Sequence, residues 1–208
     1  MNLITVSKSY LDKQKLDDYF SLNEINILNN RASFSISQET LLGRIALKHS
    51  YVNNNFNLVR IDYSSSGQPI IADDPNVYCS IAHSFGMAVG VSSRFKIGVD
   101  IEKIRPHDES LLKFIATERE IKMFNENDQN ILVTKIWVIK EAASKALGLG
   151  INYPFSKIKI LSYDNLYIVS IKKTLWTVQI FIYNNYTISI CAPLHSFDQI
   201  NIHLKYFS

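Results

Sequence analysis

The sequence predicts an α+β fold, and three observations predict it. Strand-like stretches occur in both halves of the chain, two longer segments have helical periodicity, and turn or helix-ending residues fall between them. Residues 38–49 predict a helix, with Leu41, Leu42, Ile45 and Leu47 on or near one face. Residues 63–69, with three serines, Gly67 and Pro69, predict a loop, and Asn53-Asn54-Asn55 a turn. Short strands are expected around 77–81, 87–92 and 97–101. After Pro106 the pattern turns helical. Thr117-Glu118-Arg119-Glu120 fits a capping box, in which the Thr117 hydroxyl and the Glu120 carboxylate satisfy each other's backbone N–H. A longer helix is expected over about 130–147, followed by Gly148 where a helix C-cap glycine belongs. In the tail, 178–180 and 187–190 read as strands joined by an Asn184-Asn185 turn, and 200–206 alternates like a half-buried strand.

Composition excludes several classes of function. The 208 residues are 47% hydrophobic and 20% charged, which suits a packed globular chain rather than disorder. A net charge of +3 is too mild to require a nucleic-acid partner. Cys79 and Cys191 sit in apolar stretches with no metal-ligand spacing, and two buried, reduced thiols are expected. The charged N-terminus does not read as a signal peptide and no window is apolar enough to span a membrane, so a cytoplasmic location is expected.

Three short segments carry chemistry. In Gly98-Val99-Asp100-Ile101-Glu102, Asp100 and Glu102 are two apart on a strand and point to one face, with Val99 and Ile101 opposite. Two carboxylates on one face repel unless a cation sits between them, and a hard cation such as Mg²⁺ takes oxygen ligands; two solvated acids at a strand end give the same pattern. In Trp137-Val138-Ile139-Lys140-Glu141-Ala142-Ala143-Ser144-Lys145, Glu141 and Lys145 are i and i+4 and share a helix face. An exposed ion pair is the ordinary reading. The helix is apolar almost all round, however, and charges on a buried helix need partners, such as a metal for Glu141 and a phosphate for Lys145. Finally, His83-Ser84 follows a strand, where it offers donors to a phosphate or is satisfied by backbone.

Taken in order, SGQP, SIAHS, IGVDIEK and KIWVIKEAASKALGLGI resemble the Sfp-type 4′-phosphopantetheinyl transferases. That family shows G-K-P, then S-H-S, then G-(I/V)-D-I-E, then W-x-x-K-E-x-x-x-K. The resemblance covers about 85 central residues well and extends loosely through Thr40-Leu41-Leu42-Gly43 and the C-terminal strands.

The resemblance implies two similar, pseudo-symmetric subdomains, 1–96 and 97–208, with the active site in the cleft between them. It implies an enzyme that transfers 4′-phosphopantetheine from coenzyme A to a serine of an acyl or peptidyl carrier protein, releasing 3′,5′-ADP. The metal, Mg²⁺ with Mn²⁺ as the alternative, corresponds to Asp100, Glu102 and Glu141. Glu141 is implied as the acceptor of the serine proton and Lys145 as the neutraliser of the leaving phosphate. Coenzyme A contacts correspond to Thr40, Gly67, Gln68, Pro69, His83, Ser84, Lys140 and Lys145, with His83 at the 3′-phosphate. The region 106–124 is implied to meet the carrier, with Leu111, Phe114, Ile115, Met123 and Phe124 as candidate contacts. A monomer in secondary metabolism, with no nucleic-acid or membrane partner, completes the expectation.

The chain departs from the family pattern at several places. Gln68 replaces the usual lysine and Ala82 a serine, no clear counterpart of the family's basic helix stands at 24–30, and Leu149 lies where relatives often carry a basic or polar residue. Arg31 and Arg44 are candidate substitutes for the missing cations. Each lost charge-assisted bond costs about 1.5–3 kcal/mol, so weak coenzyme A affinity is expected. The departures also motivate an alternative, a non-catalytic relative acting as an assembly factor that binds carrier protein or coenzyme A. No Walker-type phosphate loop is present, which disfavours an NTPase.

Overall fold

The computed structural model describes residues 1–11, 15–30, 38–150, 153–164, 166–194, 196 and 203–207. The chain divides into two compact units, one of residues 1–94 with 201–208 and one of residues 95–200. The first therefore takes back the end of the chain that a simple division near Lys96 assigns to the second half.

In the first unit, β1 (Asn2–Ser7) lies between β11 (His203–Phe207), which is parallel to it, and β5 (Met87–Ser93), which is antiparallel; β4 (Tyr78–Ser84) closes the sheet beside β5. Helix α4 (Gln38–Tyr51) packs on this sheet. Gly90 on β5 makes that possible, because a Cβ there would strike the backbone of Ala46 and Leu47. Ile4, Val6, Leu42, Ile45 and Ala88 form the core between helix and sheet. The short helices α1 (Lys8–Leu11), α2 (Leu16–Tyr19) and α3 (Leu22–Asn30) precede α4, and the predicted loop at 63–69 joins β2 (Ile61–Tyr63) to β3 (Pro69–Ile71) as a hairpin.

The second unit is a five-stranded antiparallel sheet in the order β6 (Gly98–Lys103), β10 (Tyr186–Pro193), β9 (Thr174–Tyr183), β8 (Leu166–Ile171), β7 (Ile158–Asp164). Helices α5 (Glu109–Ile115) and α6 (Glu118–Met123) lead into α7 (Gln129–Ala146), which lies on the sheet over a core that includes Val133, Ile136, Ile139, Ala142, Val169 and Val178. The capping box at Thr117 is formed as expected, with Thr117 N–H donating to Glu120 at 2.8 Å and Glu120 N–H to Thr117 Oγ1 at 3.3 Å. Asn184 and Asn185 both adopt positive φ in the β9–β10 turn, and Gly148, at φ 66°, follows the end of α7. Cys79 and Cys191 are buried and unlinked. Of the expected strand at 200–206, residues 203–206 lie in β11; Ile200 and Ile202 fall outside the described residues. Among the described residues no helix is long and apolar enough to cross a membrane.

Candidate active site

The second unit brings four of the predicted residues together. Gly98 opens β6 under α7, where a Cβ would collide with the Ala142 carbonyl and the Ala146 amide. With only alanines on the helix side, strand and helix backbones meet there. Glu141 and Lys145 lie on α7 beside that crossing, and Asp100 and Glu102 follow Gly98 along β6. Their strand face is the one toward the helix: Ser189, which sits opposite Asp100 on β10, donates its hydroxyl to the Val138 carbonyl of α7 at 2.6 Å. The opposite face carries Val99 and Ile101, both fully buried.

Lys145 Nζ donates to Asp100 Oδ1 at 2.7 Å, and Asp100 and Glu141 are only 4% and 5% exposed. The Glu141 carboxyl is pushed up to about 7, first by burial and then by the neighbouring Asp100 carboxylate; Lys145 opposes the shift and Glu102 adds to it. Its surroundings therefore disfavour another negative charge at neutral pH. Three carboxylates acting on one another supply the oxygen donors that a hard divalent cation takes, and a cation among them would relieve the repulsion. The donor set fits such an ion by its chemistry. It is not a preassembled ligand shell: among the described residues no three His, Cys, Asp or Glu side chains are gathered closely enough to hold a metal, and Lys145 holds one Asp100 oxygen.

Lys140 is a correction to the expected coenzyme A contacts. It is 1% exposed, and its ammonium donates to the Ile115 carbonyl at 2.6 Å, to Glu120 at 3.1 Å and to the Phe155 carbonyl at 3.4 Å. Burial pushes its pKa down, with Glu120 countering. Its donors serve the fold and are not available to a ligand. Ile115, expected at a carrier surface, is also core, at 1% exposure, while Leu111, Met123 and Phe124 pack partly buried against the same cluster. Phe114 is the one of that set that stands out, at 75% exposure.

The remaining predicted residues belong to the first unit. Gly67, at φ 81°, Gln68 and Pro69 form the turn and first residue of the β2–β3 hairpin, where Gln68 N–H donates to Ser64 Oγ. Thr40 lies in the first turn of α4, and Ser84 is buried at the end of β4. His83 is exposed, and its Nδ1 lies 3.1 Å from the Glu39 carboxylate, whose other oxygen accepts the Gly86 N–H at 3.0 Å. Sequence reasoning missed Glu39. Its only signal is an acid in a helix first turn, where acids are common for the helix dipole alone. Arg44, a candidate substitute cation, is buried beside Glu24, with its guanidinium over the Tyr63 ring; Arg31 lies outside the described residues.

Residues 96–191 match the family model of the 4′-phosphopantetheinyl transferase superfamily. Among curated proteins, the chain is 26% identical over 136 residues to 4′-phosphopantetheinyl transferase ffp of Bacillus subtilis, an alignment covering 62% of this chain and 60% of that protein. It is 26% identical over 131 residues to Sfp of Bacillus subtilis, covering 60% and 58%. To HetI of Nostoc it is 35% identical over 103 residues, covering 45% and 43%. The chain thus spans well under two thirds of the length of these relatives. A solved structure of Helicobacter pylori holo-[acyl-carrier-protein] synthase in complex with coenzyme A overlays 46% of this chain and 97% of its own, at 23% identity and a TM-score of 0.41. The matched segment, a little under half of the chain, runs from the strand that holds Asp100 and Glu102, through the helix that holds Glu141 and Lys145, to Cys191, and over it the chain is similar to the 4′-phosphopantetheinyl transferase superfamily.

Proposed function

We propose that this protein transfers the 4′-phosphopantetheine group of coenzyme A to a serine of an acyl or peptidyl carrier protein, as a cytoplasmic monomer. One observation carries the reading: within the segment matched by the family model, α7 sets Glu141 and Lys145 against Asp100 and Glu102 of β6.

Asp100, Glu102 and Glu141 would hold Mg²⁺, or Mn²⁺ in its place. When bound, the ion supplies charge neutralisation on a pyrophosphate. The serine oxygen forms a bond to the phosphorus that carries pantetheine, and the bond from that phosphorus to the bridging oxygen breaks, so that 3′,5′-ADP leaves with the bridging oxygen. The serine proton passes to Glu141, directly or through a water. Lys145, partly exposed beside Asp100, neutralises the charge that grows on the leaving phosphate. His83, Thr40, Ser84 and the Gly67-Gln68-Pro69 turn are the proposed coenzyme contacts of the first unit. Gln68 and Ala82 in place of polar or cationic family residues lead us to expect weak coenzyme A binding.

Intact-mass measurement of an apo carrier protein tests the reading. Incubation with the protein, coenzyme A and Mg²⁺ should add one phosphopantetheine, and Glu141→Ala should abolish the addition. Carrier binding without any mass gain, across acyl and peptidyl carriers, would replace the transferase by the assembly-factor reading.

A further inference from the structure

We propose that the second unit carries a binding site for small amphipathic anions, in a cavity of about 430 Å³ between α5, α6 and the strand β7. That volume lies in the range of small-molecule sites. The cavity is lined by none of Asp100, Glu102, Glu141 or Lys145; α7 reaches it only through Lys140.

The charge of the lining is one-sided. Lys113, Arg119 and Lys159 come from three different elements to the same cavity, and all three are exposed. Among the described residues none of them forms an ion pair. The one carboxylate in the lining, Glu120, is fully committed. One oxygen accepts the Ile160 N–H at 2.9 Å and the other the Thr117 N–H at 2.8 Å, while Lys140 bonds to both. That buried pair forms a charge-balanced floor, so the cavity faces an occupant with three cations and no competing anion. Phe114, Ala116, Ile158 and Leu161 supply apolar wall, and two of these, Phe114 at 75% and Leu161 at 36%, leave apolar surface exposed to solvent. Apolar walls with cations contributed from three sides select a molecule with an apolar body and an anionic head, a carboxylate or a phosphate.

The test uses the full chain, labelled with ¹⁵N, and follows backbone amide shifts during titration with decanoate, decyl phosphate, decanol and acetate. Decanoate or decyl phosphate should shift the amides of 113–117 and 158–161 in a saturable way, and the stronger of the two identifies the head group. Decanol and acetate at the same concentrations should not. Arg119→Glu combined with Lys159→Glu, both surface positions, should weaken binding by about tenfold or more while the rest of the spectrum is unchanged. The proposal is overturned if no saturable shift occurs, if decanol binds as well, or if the charge reversals leave the affinity unaltered. It is also overturned if an acidic carrier protein alone moves these amides, since the face would then be a protein-docking surface.

Discussion

The two units use one device for two ends. In each, a long helix lies on a mainly antiparallel sheet, and a lysine of that helix is buried against the glutamate of a capping box. In the first, Ser21 and Glu24 cap α3, and Lys48 donates to Glu24 at 3.1 Å and to the Tyr19 carbonyl at 2.7 Å. In the second, Thr117 and Glu120 cap α6, and Lys140 donates to Glu120 and to the Ile115 carbonyl. In both, the carbonyl belongs to the residue two before the cap. The units part at the next helix position. His49 follows Lys48 and enters an aromatic cluster with Tyr10, Tyr19, Phe56 and Phe207. Glu141 follows Lys140 and meets Asp100 and Glu102. The frame is shared, and the residue after the buried lysine differs: in one unit it joins an aromatic cluster, in the other a group of carboxylates.

If Glu141 is the functional half of this contrast, its loss should touch activity and not folding. Glu141→Gln should lower carrier modification by about 10³-fold or more. Its thermal midpoint without metal should hold or rise, because the replaced group is a buried acid whose charge is disfavoured. A variant that unfolds would place Glu141 with the frame instead. The buried lysines should behave in the opposite way. Lys48→Met and Lys140→Met each leave a buried glutamate without its cation and should cost about 3–5 kcal/mol in denaturant unfolding. A cost in only one unit would break the equivalence.

Legibility in the sequence followed the range of the interaction. The Thr117 box is a four-residue pattern, and the Asp100/Glu102 and Glu141/Lys145 faces follow from strand and helix periods alone, so all were open to reading. Ser21-Leu22-Asn23-Glu24 carries the same S-x-x-E signal and was equally open, though its short, polar surroundings hide it. What two elements do to each other was not open. The resemblance places Lys140 at a ligand, whereas the last residue of α5 and the cap of α6 surround its ammonium, 25 and 20 residues away in sequence. The parallel pairing of β1 with β11 joins the two ends of the chain and has no local signature. The closeness of β6 to α7 depends on Gly98 matching Ala142 and Ala146, which is a fact of packing rather than of pattern.

The aromatic half of the contrast has its own titration. Burial pushes His49 down to about 4 from its ordinary 6.5, and its Nε2 lies 3.2 and 3.3 Å from the hydroxyls of Tyr19 and Tyr10. The folded state thus binds fewer protons than the unfolded one between those two values, and stability falls as pH drops from about 6.5 to about 4. The loss attributable to His49 should appear as a distinct part of the unfolding free energy lost over that pH range. His49→Phe should remove that part of the acid slope and leave the part due to Glu120, whose carboxyl, despite its burial, the Ile160 and Thr117 N–H groups and Lys140 hold below its ordinary value. Equal slopes in the two proteins would show that the imidazole is solvated and the cluster open.

The smallest effect compares the caps themselves. Ser21→Ala and Thr117→Ala each remove one hydroxyl that accepts a backbone N–H and should cost about 1 kcal/mol in unfolding free energy. The glutamate of each box keeps its lysine and its bond from the cap backbone N–H, so the loss should remain well below that of the lysine variants. Glu120 additionally accepts the Ile160 N–H and so is fixed by strand β7 as well as by its cap. Thr117→Ala should therefore be the milder of the two. If Ser21→Ala is the milder, the extra strand contact does not stiffen the second frame; equal costs would extend the equivalence of the two units to their caps.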